Sequence, residues 1–210
     1  SDKYSVINLS EDNEKRIKNV DDVANLFNAT INATGVEPYI IINALGVTGK
    51  PNVDWCEKHK KETFLSNVSI PVWLAAIAGS YNVPLIHISS GCIFNGPGPF
   101  NTTDKPNFRK SYYSFTKAQA ESDLLGAKAH SFGKLDIHRI RMPFVGYENN
   151  KNLLTKLINY KKIVDTLNSV TYLDDYISFV VDEVLNNYIY DGTVTRGDWT
   201  RIIHAVNPEP

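Results

Sequence analysis

Only two cysteines, Cys56 and Cys92, occur among the 210 residues. Two isolated thiols exclude the disulfide framework on which small secreted domains depend. Neither sign of charge is in excess, since 22 Lys and Arg stand against 23 Asp and Glu for a net charge of −1. That balance leaves no electrostatic footprint for nucleic acid or an acidic membrane surface, so neither is expected as a partner. No uninterrupted apolar run approaches the ~20 residues of a bilayer-spanning helix, and nothing at the start reads as a signal peptide. Five Asn-x-Ser/Thr triplets begin at Asn8, Asn28, Asn32, Asn67 and Asn101. Such triplets arise by chance in an Asn-rich chain, and two fall where a helix or a site is expected. The expected setting is reducing and cytoplasmic. Internal repeats and low-complexity linkers are also absent.

What is present is an alternation. Apolar, strand-like runs occur at 4–9 (YSVINL), 39–46 (YIIINALG), 83–89 (VPLIHIS), 135–142 (LDIHRIRM) and 201–207 (RIIHAVN). Their near-continuous hydrophobicity suits strands covered on both faces. Helical patterns lie between them: VDDVANLFNATINATG, with acids in its first turn and Gly35 at its end, then a long stretch from Asp54 broken by Pro71. YYSFTKAQAESDLL and LDDYISFVVDEVLNN follow. Strand alternating with helix predicts an α/β fold with a doubly wound parallel sheet, Rossmann-like. FNGPGPFNTTDKPNF is the one long loop, rich in turn formers. In such sheets ligands sit beyond the carboxyl ends of the strands. NALGVTGKPN, SSGCIF and RMPF each follow a strand and converge there.

Three small features carry the chemistry. Tyr113 and Lys117 are four residues apart on a predicted helix and so share a face. A phenol near pKa ~10 exchanges protons poorly at neutral pH, and a neighbouring ammonium is expected to lower it. Ser89 and Ser90 leave a strand end, where a hydroxyl can hydrogen-bond a carbonyl oxygen as it becomes an alcohol. Gly46 closes NALG and lets backbone approach a ligand. Each has a plain structural alternative: a chance Tyr-x-x-x-Lys, a serine turn, an ordinary strand-ending glycine. His87, His138 and His204 read as satisfied core residues in strands, Trp73 and Leu74 as core, and EKHKKE as a solvated face. Cys56 and His59 on one helix, with no second pair, give no metal site.

Taken in order, NALG after one strand, Ser90 after the next, and Tyr113 with Lys117 on a helix resemble the short-chain dehydrogenase/reductase superfamily. GVTGKPNVDWCE, GCIF, TDKPNF, YYSFTKA, RIRMP, KNLLTK and NSVTYLD, spread over about residues 43 to 174, look like its nucleotide-sugar branch. The resemblance is to the 3,5-epimerase/4-reductases that make nucleotide-linked L-rhamnose. It implies reduction of the C4 ketone of a nucleotide-linked 4-keto-6-deoxyhexose with NADPH (or NADH), a homodimer, and a set of roles. Tyr113 would donate the proton to O4, helped by Lys117, with Ser90 steadying the carbonyl. Asn43, Ala44, Leu45, Gly46, Met142 and Pro143 would join Tyr113 and Lys117 in holding the cofactor. Thr48, Gly49, Asn52, Ser90, Cys92, Phe94 and Asn152 would contact the substrate. Cys92 and Lys156 match the acid/base pair that exchanges protons at carbons flanking the ketone, although a cysteine there is more often a small buried hydrophobe.

The family's Gly-rich turn, whose N–H groups hold the cofactor pyrophosphate, has no counterpart here: the sequence contains no G-x-x-G-x-x-G. The expectation is a core at 1–142 lacking its first strand, Gly-rich turn and helix, a substrate-binding portion at 143–210 mixed with the last core strands, and weak dinucleotide binding by the chain alone. A fragment, absent ends and natural loss would each explain this. A 4-reductase without epimerase activity, and a non-catalytic sugar-nucleotide-binding module, are the alternatives. Finally, Pro71 cannot donate a backbone N–H to the carbonyl of Asn67. A kinked helix is expected there, with that carbonyl facing Lys117 through the water relay of the superfamily.

Overall fold

The computed structural model describes residues 5–9, 17–50, 52–128, 134–163, 165, 167–186, 189–190, 193–194 and 200–207. Its centre is a parallel sheet in the order β1 (Ile41–Asn43), β2 (Leu85–Ser90), β3 (Leu135–Ile140) and β8 (Thr200–Ala205). Between β3 and β8 lie two pairs of short strands: β4 (Pro143–Phe144) pairs with β5 (Thr171–Tyr172), and β6 (Ile189–Tyr190) pairs with β7 (Thr193–Val194).

Alternating residues of the central strands face two different layers, as the two-residue strand period requires. Ile41, Leu85, Leu135, Ile137 and Ile202 form one core with Ala75, Ala78 and Leu124. Those three come from α4 (Ile70–Ser80) and α5 (Tyr112–Lys128), which therefore cover this face, and α1 (Val20–Thr34) packs on α4. On the other face Ile40, Ile86 and Ile88 meet Tyr176, Phe179, Val180, Val184 and Leu185. These belong to α7 (Leu173–Phe179) and the π-helical turn Val180–Leu185 that continues it. Helices on both faces of a parallel sheet make the fold doubly wound. Each fully buried aliphatic such as Ile86, Leu124 or Ile137 contributes about 1.5–3 kcal/mol.

Local chemistry sets the helix ends. Asn19 and Asp22 form a reciprocal capping box at the start of α1, and Gly35, at φ 68°, ends it in the left-handed conformation with its N–H on Ile31 O. The long stretch from Asp54 becomes α2 (Trp55–Lys58), α3 (Lys60–Phe64), a π-helical turn at Leu65–Ser69 and α4. The expected break at Pro71 thus takes the form of that π turn. It lets Pro71 occupy the first turn of α4, where no N–H is needed. By length and composition the run Lys60–Ser80 reaches what a bilayer span requires, contrary to expectation, with 39% of its most apolar window buried inside the protein. It packs as a core helix against β1, β2, α1 and α5.

Two further expectations are corrected. The run at 4–9 is not a strand where it is described: residues 5–9 are irregular, with Val6 87% and Ile7 51% exposed. Apolar content makes a strand only where an edge offers hydrogen-bond partners, and β1 is paired to β2 alone. Trp73 and Leu74 are half-buried rather than core.

Candidate active site

The carboxyl ends of β1, β2 and β3 deliver Asn43, Ser90 and the segment Arg141–Met142 to one edge of the sheet. α5 brings Tyr113 and Lys117 to the same edge. Ser90 caps the 3-10 turn Gly91–Ile93: its Oγ accepts the N–H of Cys92 at 3.1 Å. The same hydroxyl lies near enough to the Tyr113 phenol to act on its pKa, lowering it. Lys117, only 4% exposed, donates from Nζ to Ile88 O at 2.8 Å. Serine, tyrosine and lysine are therefore brought together.

Their electrostatics differ from expectation. Tyr113 is pushed up to about 12, chiefly by burial and next by the charge of Cys92, while Ser90 and Arg141 act to lower it. Lys117 does not pull the phenol down. Its own pKa falls to about 8 because burial penalises the ammonium, an effect partly offset by Glu121. The phenol is thus held as a proton donor at neutral pH, and the ammonium is the group poised to titrate.

The depressed pKa of Lys117 means that the folded state binds fewer protons than the unfolded one between about pH 8 and 10.5. Stability therefore rises with pH across that window, and the cost of the buried charge is full below it. Tyr113, with a raised pKa, acts in the opposite sense and only above its ordinary value of 10.0. Lys117→Met is expected to stabilise the fold at pH 7, by at most about 3 kcal/mol. Urea denaturation at pH 7 and pH 10 checks this: the gap between variant and wild type should shrink at the higher pH.

Asn67, fully buried in the π turn, uses its side chain as a clamp. Oδ1 accepts Val47 N–H at 2.7 Å, while Nδ2 donates to Val47 O at 3.1 Å and to Thr116 Oγ1 at 3.2 Å. It ties the loop after β1 to α5 one residue before Lys117. Asn43 is buried, its Nδ2 donating to His87 Nδ1 at 3.1 Å and its Oδ1 accepting Leu45 N–H. Ala44, Gly46, Thr48 and Asn52 lie exposed along the following loop, with Leu45 half-buried. At Gly49, φ is 76° and a Cβ would stand 2.5 Å from that of Trp55, so this turn admits only glycine. Met142 adopts φ 43°, rare for a side chain of its size, immediately before the exposed Pro143.

Other residues are committed to packing. Phe94 stacks on Phe100 at 4.7 Å and carries the Arg139 guanidinium 5.1 Å from its ring centre. Asn152 spends its amide on Val145 N–H, Val145 O and Tyr147 O. Lys156 is half-buried on α6 (Leu153–Ile158), a helix that packs on β4. Among the described residues no hydrogen bond joins it to Cys92, whose sulfur takes its hydrogen bond from Arg141. Cys56 is fully buried, and His59 stacks on Trp55 at 3.6 Å.

Sequence reasoning missed two groups. Glu121, 1% exposed and one helical turn beyond Lys117, accepts the hydroxyl of Ser89 and three guanidinium bonds from Arg139 (2.8–3.2 Å). Arg139 donates also to His204 Nε2 at 3.0 Å. Burial and then the Arg139 charge hold His204 below its ordinary pKa. The i, i+4, i+8 spacing of Tyr113, Lys117 and Glu121 could have signalled that carboxylate. The second group is Arg141, whose Nη1 donates to Cys92 Sγ at 2.9 Å; nothing in RIRMP distinguishes it. The histidines are also less satisfied than expected. Nε2 of His87 and of His138 is buried with no hydrogen-bond partner among the described residues, the latter standing 3.7 Å from Asp136.

The family described as RmlD substrate binding domain matches residues 2–175. A bifunctional dTDP-4-dehydrorhamnose 3,5-epimerase/dTDP-4-dehydrorhamnose reductase of Arabidopsis thaliana is 39% identical over 161 residues, covering 72% of this chain and 52% of that protein. A trifunctional UDP-glucose 4,6-dehydratase/UDP-4-keto-6-deoxy-D-glucose 3,5-epimerase/UDP-4-keto-L-rhamnose-reductase of the same plant is 38% identical, covering 78% and 24%. The chain therefore spans about half the length of the first relative and about a quarter of the second. The crystal structure of the L780 UDP-rhamnose synthase of Acanthamoeba polyphaga mimivirus superposes with a TM-score of 0.72 at 27% identity, over 91% of this chain and 64% of that one. The fold is shared with dTDP-4-dehydrorhamnose reductase of Bacillus anthracis, solved with NADP, at a TM-score of 0.64 and 19% identity over 89% and 60%. The serine, tyrosine and lysine at the strand ends, on a doubly wound sheet with this likeness, lead to one assignment: the chain belongs to the RmlD substrate-binding-domain family.

Proposed function

We propose that the chain carries the catalytic centre of a 4-reductase acting on a nucleotide-linked 4-keto-6-deoxyhexose, with 3,5-epimerisation at the same site. The observation that carries the reading is the Tyr113 phenol placed where the Ser90 hydroxyl acts on it, with the ammonium of Lys117 buried one helical turn further along α5. Tyr113 releases its proton to O4 as the ketone becomes an alcohol, and Ser90 holds the oxygen in line. Lys117 sits close to its titration point at neutral pH and so can return a proton toward the phenol.

A reduced nicotinamide dinucleotide, NADPH or NADH, would supply the hydride when bound. The residues fit its reactive end. One of the three N–H donors of Lys117 goes to Ile88 O, so the buried ammonium has donors for the hydroxyls of a ribose. Asn43, Ala44, Leu45, Gly46, Met142 and Pro143 would line its path along the strand ends. Residues 1–142 would then form the core of the catalytic unit, and 143–210 a substrate portion mixed with the last core strand.

Product analysis of the full-length protein tests the reading. Incubation of a nucleotide-linked 4-keto-6-deoxyglucose with reduced dinucleotide should yield a 6-deoxy-L-hexose. A 6-deoxy-D-hexose would leave a reductase alone, and unreacted ketone would overturn both. Cys92→Ser should stop solvent deuterium entering C3 and C5, by about 10²-fold or more, while sparing reduction of an already epimerised ketone. Undiminished labelling in that variant would remove Cys92 from the chemistry.

A further inference from the structure

Loop 95–107 continues directly from Ser90, Cys92 and Phe94 at the end of β2, so it borders the site. Its neck is closed by Asn107. The N–H groups of Asn107 and Phe108 both go to Ile93 O, at 3.1 and 2.9 Å. The Asn107 side chain accepts Asn95 N–H at 2.8 Å and donates to Asn95 O at 3.0 Å. A loop of this length with joined ends is a compact Ω-type excursion. Most of it is exposed, but Phe100 and Asp104 are half-buried.

The loop meets the sheet at Arg139 of β3. Glu121 takes Nε and Nη2 of that guanidinium, which leaves Nη1 to donate to Thr102 O at 3.3 Å and to His204 Nε2 at 3.0 Å. The guanidinium lies 5.1 Å from the centre of the Phe94 ring, and Phe94 stacks on Phe100 at 4.7 Å. His204, on β8, stands 5.9 Å from the Phe94 ring. Arginine has donors only, so His204 Nε2 must accept, and the proton of the neutral ring sits on Nδ1. A protonated ring would turn an N–H toward a cation instead. The charged groups around His204 are Arg139 from β3, Glu121 from α5 and Asp104 from the loop. Burial first, then Arg139, hold its pKa below the ordinary 6.5, while Glu121, the Phe100 main chain and Asp104 oppose them. With the folded pKa depressed, what the neutral ring contributes is complete above pH 6.5 and is lost as the pH falls through the lower, folded value.

We propose that Arg139 and neutral His204 form a latch that holds loop 95–107 closed against the carboxyl end of the sheet. His204 is then a positioning residue for the wall of the site that this loop supplies, and protonating it opens the latch. That the wall meets a nucleotide sugar rests on the reading above; the latch itself does not.

The first test is amide hydrogen exchange on the full-length protein without substrate, corrected for the intrinsic pH dependence of exchange. In wild type, protection of peptides from loop 95–107 should fall about tenfold between about pH 7.5 and about pH 5, while peptides from β2 keep theirs. His204→Gln offers an amide oxygen to Arg139 and does not titrate, so its loop should stay protected at both pH values. His204→Phe keeps a ring beside Phe94 but has no acceptor, and its loop should be as open at pH 7.5 as that of wild type at pH 5. Wild-type protection that does not change with pH overturns the latch without any variant having to fold. So does a fall shared by β2, or one that persists in His204→Gln. The second test is kinetic: at pH 7.5 His204→Phe should raise KM for the nucleotide sugar about tenfold with kcat within a few-fold, and His204→Gln should restore it. An open loop with KM unchanged overturns the positioning role. Failure of the reductase reading looks different, because the loop would respond to pH and to His204 as expected while wild type left the ketone unreduced.

Discussion

Tyr113→Phe in the full-length protein is expected to lose about 10³-fold in the rate of 4-keto reduction while the fold stays intact. In the proposed reading the phenol is the proton donor to O4: the Ser90 hydroxyl acts on it and, with its pKa near 12, it is fully protonated at neutral pH. Phenylalanine keeps the ring and its packing and deletes only the hydroxyl, so circular dichroism and the unfolding midpoint should barely change. Oxidation of reduced dinucleotide with a nucleotide-linked 4-keto-6-deoxyhexose measures the loss. A rate within a few-fold of wild type would end the assignment of Tyr113 as the acid. The pH profile carries a second signature. The alkaline limb should follow Lys117, near pH 8, because the ammonium and not the phenol is the group that titrates there.

Glu121→Ala is expected to destabilise the protein by about 3–5 kcal/mol, a large share of the stability of any domain. The carboxylate and Arg139 form an ion pair at 2.8 Å, with side chains 2% and 3% exposed. Removing the carboxylate leaves a buried guanidinium whose remaining bonds reach Thr102 O and His204, and it strands the Ser89 hydroxyl as well. Chemical denaturation measures the effect. A loss under 1 kcal/mol would show that water replaces the carboxylate. The substitution has a catalytic consequence too. Glu121 holds the pKa of Lys117 up against burial, so its removal should move the alkaline limb to lower pH.

Much of this was legible in the chain itself. The apolar runs of β2 and β3 are continuous because those strands are buried almost throughout, and the positions of β2, β3 and β8 could be read within one or two residues. The acids in the first turn of α1 and the glycine that ends it act through near neighbours, so sequence alone locates them. The same holds for the proximity of Tyr113 and Lys117, a consequence of helical period. The run at 4–9 misled because hydrophobicity cannot say whether a partner edge is within reach.

Interactions between segments far apart in the chain were not legible. The sequence by itself determined the doubly wound class and the shared helical face of Tyr113 and Lys117, since each rests on local periodicity and residue type. Only the tertiary structure decided that burial lifts Tyr113 and depresses Lys117, that Glu121 is shared among Ser89, Arg139 and the lysine above it, and that Arg141 reaches Cys92 across 49 residues. Desolvation and charge proximity depend on which helix covers which strand, and that packing is set by the whole chain at once.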